Sequence, residues 1–377
     1  MKIRYFDNAA TTPILEKVLI KMFPYLTEAY GNASAMYGIG RQSKKAIEEA
    51  RNEVAQIINV KPKEIYFTAS GSESDNIALK GFAYANKKKG KHIITTKIEH
   101  HAILETGETL ERQGFEITYL NVNKDGIVDL NELIKSVRPD TILISIMFAN
   151  NEIGTIQPIE EISKIAKSKD IIFHTDSVQA VGNIPIDCKK LGIDMLSMSA
   201  HKLHGPKGVG ALYIKDGIKI EKYINGGHQE RNKRAGTENV AGIVGLGEAC
   251  KIARKNIESH MKHLTNLRNY YIDRVLKEIQ NTKLNGSLEA RLPGNANISF
   301  IGSDAQELLF RLDEVGICAS SGSACNTGIQ LPSHVLTAIG LTSEEAGGAL
   351  RTTFGDDNTL EDVKFLIDSL KKFIKND

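Results

Sequence analysis

Residues 170–214 read DIIFHTDSVQAVGNIPIDCKKLGIDMLSMSAHKLHGPKGVGALYI. Three short apolar runs, Asp170 to His174, Asp194 to Ser199 and Val209 to Ile214, are separated here by polar, Gly-containing stretches. Runs of that length and near-continuous hydrophobicity predict strands of a sheet buried on both faces. The same punctuation extends toward the N-terminus. Strands expected at Glu64 to Thr68, His92 to Thr96, Glu116 to Leu120 and Thr141 to Ala149 alternate with amphipathic helices expected at Gly40 to Ile58, Ser74 to Asn86, Ala102 to Gln113, Asn131 to Val137 and Ile159 to Ser168. Such alternation predicts parallel βα units, and so an α/β fold whose large domain holds a mostly parallel seven-stranded sheet flanked by helices.

Beyond Gly236 the texture changes. A long helix is expected from Val240 to Ile279, then strands near Asn297 to Phe300 and Gly316 to Ala319, a Gly/Ser-rich stretch, a helix near Ser333 to Ile339 and a terminal helix near Leu360 to Ile374. These predict a smaller α+β domain, and 377 residues suit two domains. The expected division is 13–257 for the large domain against 1–12 with 258–377 for the small one.

Composition narrows the function classes. With 41% hydrophobic and 25% charged residues the chain is globular, not disordered. A net charge of +2 leaves no electrostatic footprint for nucleic acid or an anionic membrane. The longest apolar run, TILISIMFA, has the length of a strand, so no membrane span is expected. Lys87 to Lys91 reads as a solvated helix end. Four cysteines, Cys188, Cys250, Cys318 and Cys325, include no C-x-x-C pair, which argues against a disulfide framework or structural zinc and for a reducing cytoplasm.

Polar residues collect just after the expected strands: Ser70, Gly71 and Ser72; Glu99 and His100; Asn150, Asn151 and Glu152; Asp176 and Gln179; Ser199, His201 and Lys202. Ligands of open parallel sheets bind at the carboxyl ends of strands, so these residues are expected to converge on one sheet edge. The strand, small-residue turn and helix in FTASGSESDNIALKG make an anion cup of backbone N–H groups at a helix start. It lacks the spacing of a Walker A loop and of a dinucleotide fingerprint. The plainer reading is an N-capped helix with Ser72 or Ser74 as cap.

Asp176 ends an apolar strand, where a carboxylate is costly without a cation or a helix to cap near Ser177. Lys202 lies between His201 and His204; cationic neighbours disfavour its charged form and make it a nucleophile toward carbonyls, whereas a lone strand-end lysine is ordinarily solvated. Cup, carboxylate and amine together match what pyridoxal 5'-phosphate requires: a phosphate seat, a partner for the pyridine nitrogen and a lysine for the aldehyde. His100 either stacks on the ring or relays protons.

FDNAATT (6–12), SGSESDN (70–76), EHHAIL (99–104), NNEIGTIQP (150–158), HTDSVQAVG (174–182), SAHKLHGPKGVG (199–210), RAGTEN (234–239) and SSGSAC (320–325) together resemble the cysteine desulfurases of the NifS and IscS type. Those enzymes belong to the class V aminotransferase superfamily, with the PLP-dependent transferase fold type I. The resemblance runs from Tyr5 to beyond Arg351. It implies that Lys202 carries the cofactor, His100 stacks on its ring, Asp176 meets the pyridine nitrogen and Gln179 the ring hydroxyl. Gly71, Ser72, Ser199 and His201 hold the phosphate, and Thr237 reaches the phosphate of a second subunit, which requires a homodimer. Asn151 and Arg351 take the substrate carboxylate, the alternative for Arg351 being a structural salt bridge.

Ser72 stands where the family often has threonine, His101 where lysine or methionine is common, and GGALRTTFG differs from the usual R-I-S-L-G ending. Cys325, in a Gly/Ser-rich loop composition, is implied as the nucleophile, with Cys318 and Cys250 expected in the core and Cys188 partly exposed. The implied reaction converts L-cysteine to L-alanine, passing sulfur through a Cys325 persulfide to an acceptor or iron–sulfur scaffold protein, for cluster assembly or tRNA thiolation. A selenocysteine lyase or another class V aminotransferase or lyase is the alternative enzyme, and a nucleotide-binding regulatory protein using the same cup the non-enzymatic one.

Overall fold

The computed structural model describes residues 2–321 and 333–374. Its strands are β1 (Arg4–Tyr5), β2 (Ile65–Thr68), β3 (His92–Thr96), β4 (Glu116–Leu120), β5 (Thr141–Ser145), β6 (Ile172–Asp176), β7 (Met195–Ser199), β8 (Gly210–Ile214), β9 (Thr282–Leu284), β10 (Asn295–Phe300), β11 (Ile317–Cys318) and β12 (Ala349–Thr353). Seven form one sheet in the order β2-β8-β7-β6-β5-β3-β4. Neighbours run parallel from β7 through β6, β5 and β3 to β4, and β8 runs antiparallel to both β7 and β2. The expected parallel unit fails at β8 because residues 200–209 hold only a turn of 3-10 helix and a tight turn with Gly208 at φ +78°. Parallel pairing needs a crossover of about a dozen residues or more.

Apolar residues split between the faces with the strand period of two. Ile94, Ile144, Leu196 and Ala211 enter one buried cluster, and Ile93, Leu143, Met195 and Leu212 another on the opposite face. Residues 146–149, expected as strand, leave the ladder after Ser145 yet stay beside β6, with Ile146 and Phe148 N–H donating to the His174 and Asp176 carbonyls. That register carries Asn150–Glu152 to the same edge as Asp176.

A separate core joins Phe6, Leu264, Tyr271, Phe300, Leu350, Phe354 and Leu366. The helix Val240–Glu278 serves both cores. Ala241 through Cys250 pack in the first, where Gly247 lets the helix approach Ala50, since a Cβ would stand 2.6 Å from the Ala50 Cα. Leu264 through Val275 pack in the second. The small antiparallel sheet runs β12-β10-β9, and β1 pairs with β11. β1, β9 and β12 were not expected from the sequence, nor was the helix Ala305–Glu314, although its Asp304 cap and inward Leu308 and Leu312 are a readable signal. Among the described residues no helix is long and apolar enough to cross a membrane.

Candidate active site

The cup forms where β2 ends. Ser70, and not Ser72 or Ser74, caps the following helix, its hydroxyl accepting from the Glu73 N–H at 3.1 Å. The cap falls on the residue with extended backbone, so the helix starts at Gly71, three residues earlier than expected. A Cβ on Gly71 would stand 2.6 Å from Val178 Cγ2, and one on Gly210 2.8 Å from the Ser70 carbonyl carbon, so glycine is required at both. Ser72 is exposed and Ser199 buried. His201 is half-buried, with Nδ1 3.1 Å from Thr11 Oγ1, and burial pushes its pKa down to about 4.

Asp176 ends β6 and is 7% exposed. Its carboxylate accepts the Val178 N–H at 2.9 Å instead of capping a helix at Ser177. Burial raises its pKa, while the nearby charges of His100 and Lys202 pull the other way. Lys202 sits in the 3-10 turn after β7, and its Nζ donates to the Ala9 carbonyl (2.5 Å) and the Ala10 carbonyl (2.8 Å). Gln179 Nε2 donates to the same Ala9 carbonyl at 3.0 Å. The N-terminal arm thus gathers the amine and the amide.

His100 opens the helix His101–Glu111, where its Nδ1 accepts from the Ala102 N–H at 3.1 Å. A neutral ring therefore carries its proton on Nε2. His100 is exposed to solvent, yet the atoms crowded around its ring desolvate it enough to lower its pKa; Lys202, His101 and His334 lower it further, and Asp176 opposes them. The charges of Asp176 and Lys202 act on His100, and those of His100 and Lys202 on Asp176, as fits three residues that all follow or end strands at one sheet edge.

Arg351 lies on β12 opposite Asn297 and is 3% exposed. It donates to Asp7 Oδ1 at 2.7 Å and to the Asn151 carbonyl at 3.2 Å, while its Nε has no hydrogen-bond partner among the described residues. The salt bridge weighed as its alternative role is present, and Asn151 stands against it. Thr237 is exposed and lines a groove with Thr68, Ala69 and Arg234. Cys325 lies outside the described residues. Cys188 is 1% exposed, contrary to the expectation of partial exposure, because it packs in the main core. Cys250 is buried as expected, and Cys318 is only half-buried, at the short edge strand β11.

Several residues around the site were given no individual role from the sequence. Asp7 reaches Arg351 because residues 4–7 pair first with β11 and then with β12. Asp75, one helical turn below the cup, is 1% exposed and 3.8 Å from His174 Nε2. Desolvation raises its pKa, and the Asp176 charge adds to this. His174 bridges Ser145 Oγ (2.9 Å) and Ser197 Oγ (3.0 Å) and is held neutral by burial, its pKa lowered to about 3. Glu99 accepts from Thr96 Oγ1 (2.7 Å) and the Met147 N–H (3.0 Å), and its Oε2 has no partner among the described residues.

Burial pushes the Glu99 pKa up to about 8. An unfolded glutamate loses its proton near pH 4.5 and the folded one near 8, so stability falls as pH rises through that window, at up to about 1.4 kcal/mol per pH unit. Glu99→Gln cannot ionise and is expected to gain about 3 kcal/mol over the wild type between about pH 5 and pH 8. Thermal midpoints of both proteins across that range measure the gain, and parallel curves would refute it.

The group these residues suit is tested by the cup that admits only glycine, the buried Asp176 carboxyl and the amine held at its edge. An anionic phosphate fits the first, a protonated pyridine nitrogen the second and an aldehyde the third.

The class V aminotransferase family model matches residues 4–366. The cysteine desulfurase IscS of Clostridium botulinum strain Hall is 52% identical over 373 residues, covering 98% of this chain and 94% of that protein. Among solved structures, a NifS-like protein superposes with a TM-score of 0.93 at 40% identity, covering 98% of this chain and 99% of that one. SspA in complex with cysteine superposes with a TM-score of 0.84 at 36% identity, covering 94% and 100%. The chain therefore belongs to the class V aminotransferase family, with its PLP fold type I architecture, and within it to the cysteine desulfurases of the IscS type.

Proposed function

We propose that the protein is a pyridoxal 5'-phosphate-dependent cysteine desulfurase that converts L-cysteine to L-alanine and hands the sulfur to an acceptor or iron–sulfur scaffold protein in the cytoplasm. The observation that carries this reading is the meeting of Lys202, Asp176 and His100 beside the glycine-only cup. Gly71, Ser72, Ser199 and His201 hold the phosphate, Asp176 the ring nitrogen, Gln179 the ring hydroxyl, and Lys202 the aldehyde carbon. When bound, the cofactor supplies an electron sink for the carbanion that follows loss of the α-proton.

This chain's own groups do the rest. Arg351 and Asn151 orient the substrate carboxylate, and Lys202 Nζ takes the α-proton. His100 can take up the thiol proton of Cys325 only at Nδ1, at the cost of the bond from the Ala102 N–H, so with its lowered pKa it holds that proton transiently. The Cys325 thiolate attacks the substrate sulfur: an S–S bond forms, the substrate C–S bond breaks, and the carbon is protonated to leave as alanine. Cysteine plus enzyme thiol thus become alanine plus enzyme persulfide, with no outside oxidant.

A homodimer completes this reading through Thr237. Its support is a segment rich in exposed apolar side chains, Ile20, Phe23, Leu26, Tyr30, Met36 and Tyr37, of which Tyr30 is 72% and Met36 90% exposed. Within each subunit, 13–257 forms the cofactor domain and 1–12 with 258–377 the domain that supplies Arg351 and Cys325. The purified protein is expected to absorb in the visible, and L-cysteine to perturb that band while sulfide and alanine appear in equal amounts under a reducing thiol. A colourless protein that gains no band with added cofactor, or sulfide without alanine, would sink the reading.

A further inference from the structure

The turn after β5 buries a carboxyl that the proposed chemistry leaves unused. Asn150 Oδ1 accepts from the Glu152 N–H (2.8 Å) and the Ile153 N–H (3.0 Å), and the Glu152 carbonyl accepts from Asn297 Nδ2 at 3.2 Å. The turn leaves Glu152 5% exposed. Ser333, cap of the helix His334–Ala338, donates its hydroxyl to Glu152 Oε2 at 2.6 Å.

The charged and titratable groups facing Glu152 come from two other elements. Arg351 stands on β12, with Asp7 paired behind it, and His101 starts its helix, with His334 packed on its ring at 4.9 Å. Among the described residues no salt bridge joins Glu152 to Arg351, whose direct partner is Asp7 at 2.7 Å. Arg351 also donates to the carbonyl of Asn151, next to Glu152, and Asn297, its cross-strand neighbour, holds the Glu152 carbonyl, so one buried guanidinium serves one paired carboxylate and lies beside the turn that carries a second.

Burial pushes the Glu152 pKa up to about 7, against the pull of Ser333, Arg351 and His101. At lower pH it is a neutral acid and leaves the positive field of Arg351 to a third, incoming carboxylate. Once ionised it draws on that field.

We propose that Glu152 is a positioning residue for the amino-acid carboxylate: neutral, it leaves Arg351 available to the substrate, and charged, it competes for Arg351. This rests on the reading that Arg351 and Asn151 receive that carboxylate. A carboxylate bound beside Arg351 favours the protonated form of Glu152. Below the Glu152 pKa nothing changes on binding, because the acid is already neutral. Above it, binding meets repulsion or takes up a proton, and affinity falls by up to about tenfold per pH unit relative to a protein that cannot ionise there.

The test uses the cofactor-loaded protein and L-alanine, which carries the carboxylate but no thiol. Its dissociation constant is read from the shift of the visible band between about pH 6 and pH 9, for wild type and Glu152→Gln. Titration of the ligand amine and of the cofactor site cancels in the ratio of the two constants. That ratio is expected near one at about pH 6 and at least about fivefold, weaker for wild type, at about pH 8.5. Ethylamine, which lacks the carboxylate, is expected to give a ratio that stays flat.

Ser333→Ala removes a donor that favours the charged form, so the pH at which affinity begins to fall should move upward. This second variant keeps the proposal testable if Glu152→Gln folds poorly. A flat ratio for L-alanine, the same slope with ethylamine, or no upward move in Ser333→Ala overturns the proposal alone. No response to L-alanine at any pH overturns both it and the substrate reading beneath it.

Discussion

Lys202→Ala is expected to lose covalently held cofactor and to lower desulfurase turnover by roughly 10³-fold or more, the scale of removing a positioned proton-transfer group together with a covalent nucleophile. Borohydride reduction should fix the cofactor's mass on the peptide containing Lys202 in the wild type and on no peptide of the variant. The effect is large because, among the described residues, no other lysine bonds the Ala9 and Ala10 carbonyls. Lys202 Nζ is fixed by the Ala9 and Ala10 carbonyls at 2.5 and 2.8 Å, in an arm itself tied down by Asp7 to Arg351 and by the Thr12 hydroxyl to the His201 carbonyl. Lys202→Arg keeps a cation that can bond the same carbonyls but cannot form the carbonyl adduct, so it should be nearly as inactive while keeping the wild-type thermal midpoint. Turnover within tenfold of wild type in either variant would refute the role given to Lys202.

The central sheet was legible because a strand covered on both faces must be apolar almost throughout, and β3, β5, β7 and β8 are buried along their whole length. β12 was hidden by a buried charge. Arg351 interrupts the apolar pattern of ALRTT, and what makes burial tolerable is Asp7, 344 residues away in sequence.

Within the site, Lys202, Asp176 and His100 could be read because each follows a strand and carries chemistry in its side chain. The glycine requirement at Gly71 could not be read, since it comes from Val178, which packs against it from the β6 side. Glu99 and Glu152 appeared only as polar strand-end residues. Their raised pKa values come from desolvation, and desolvation is a property of the packed sheet edge, not of neighbours in sequence.

Cys325→Ala is expected to keep the visible band and its response to L-cysteine, yet to cut sulfide and alanine formation by at least about 100-fold, because the thiolate that takes the sulfur is gone. A lyase that expels sulfur without a protein thiol would turn over unchanged, so the variant separates a desulfurase from its superfamily relatives. The other cysteines are poor substitutes for physical reasons. Cys188 and Cys250 are 1% and 0% exposed, and burial pushes both thiols up, away from the thiolate. Cys318 is half-buried at β11, with its thiol also raised by burial and by the charges of Asp313 and Asp7. A native-state alkylation time course should therefore show one fast thiol in the wild type and none in Cys325→Ala. Persulfide, trapped by alkylation after brief exposure to L-cysteine, should map to Cys325 alone; persulfide on Cys318 in the variant, with turnover kept, would move the nucleophile to that strand.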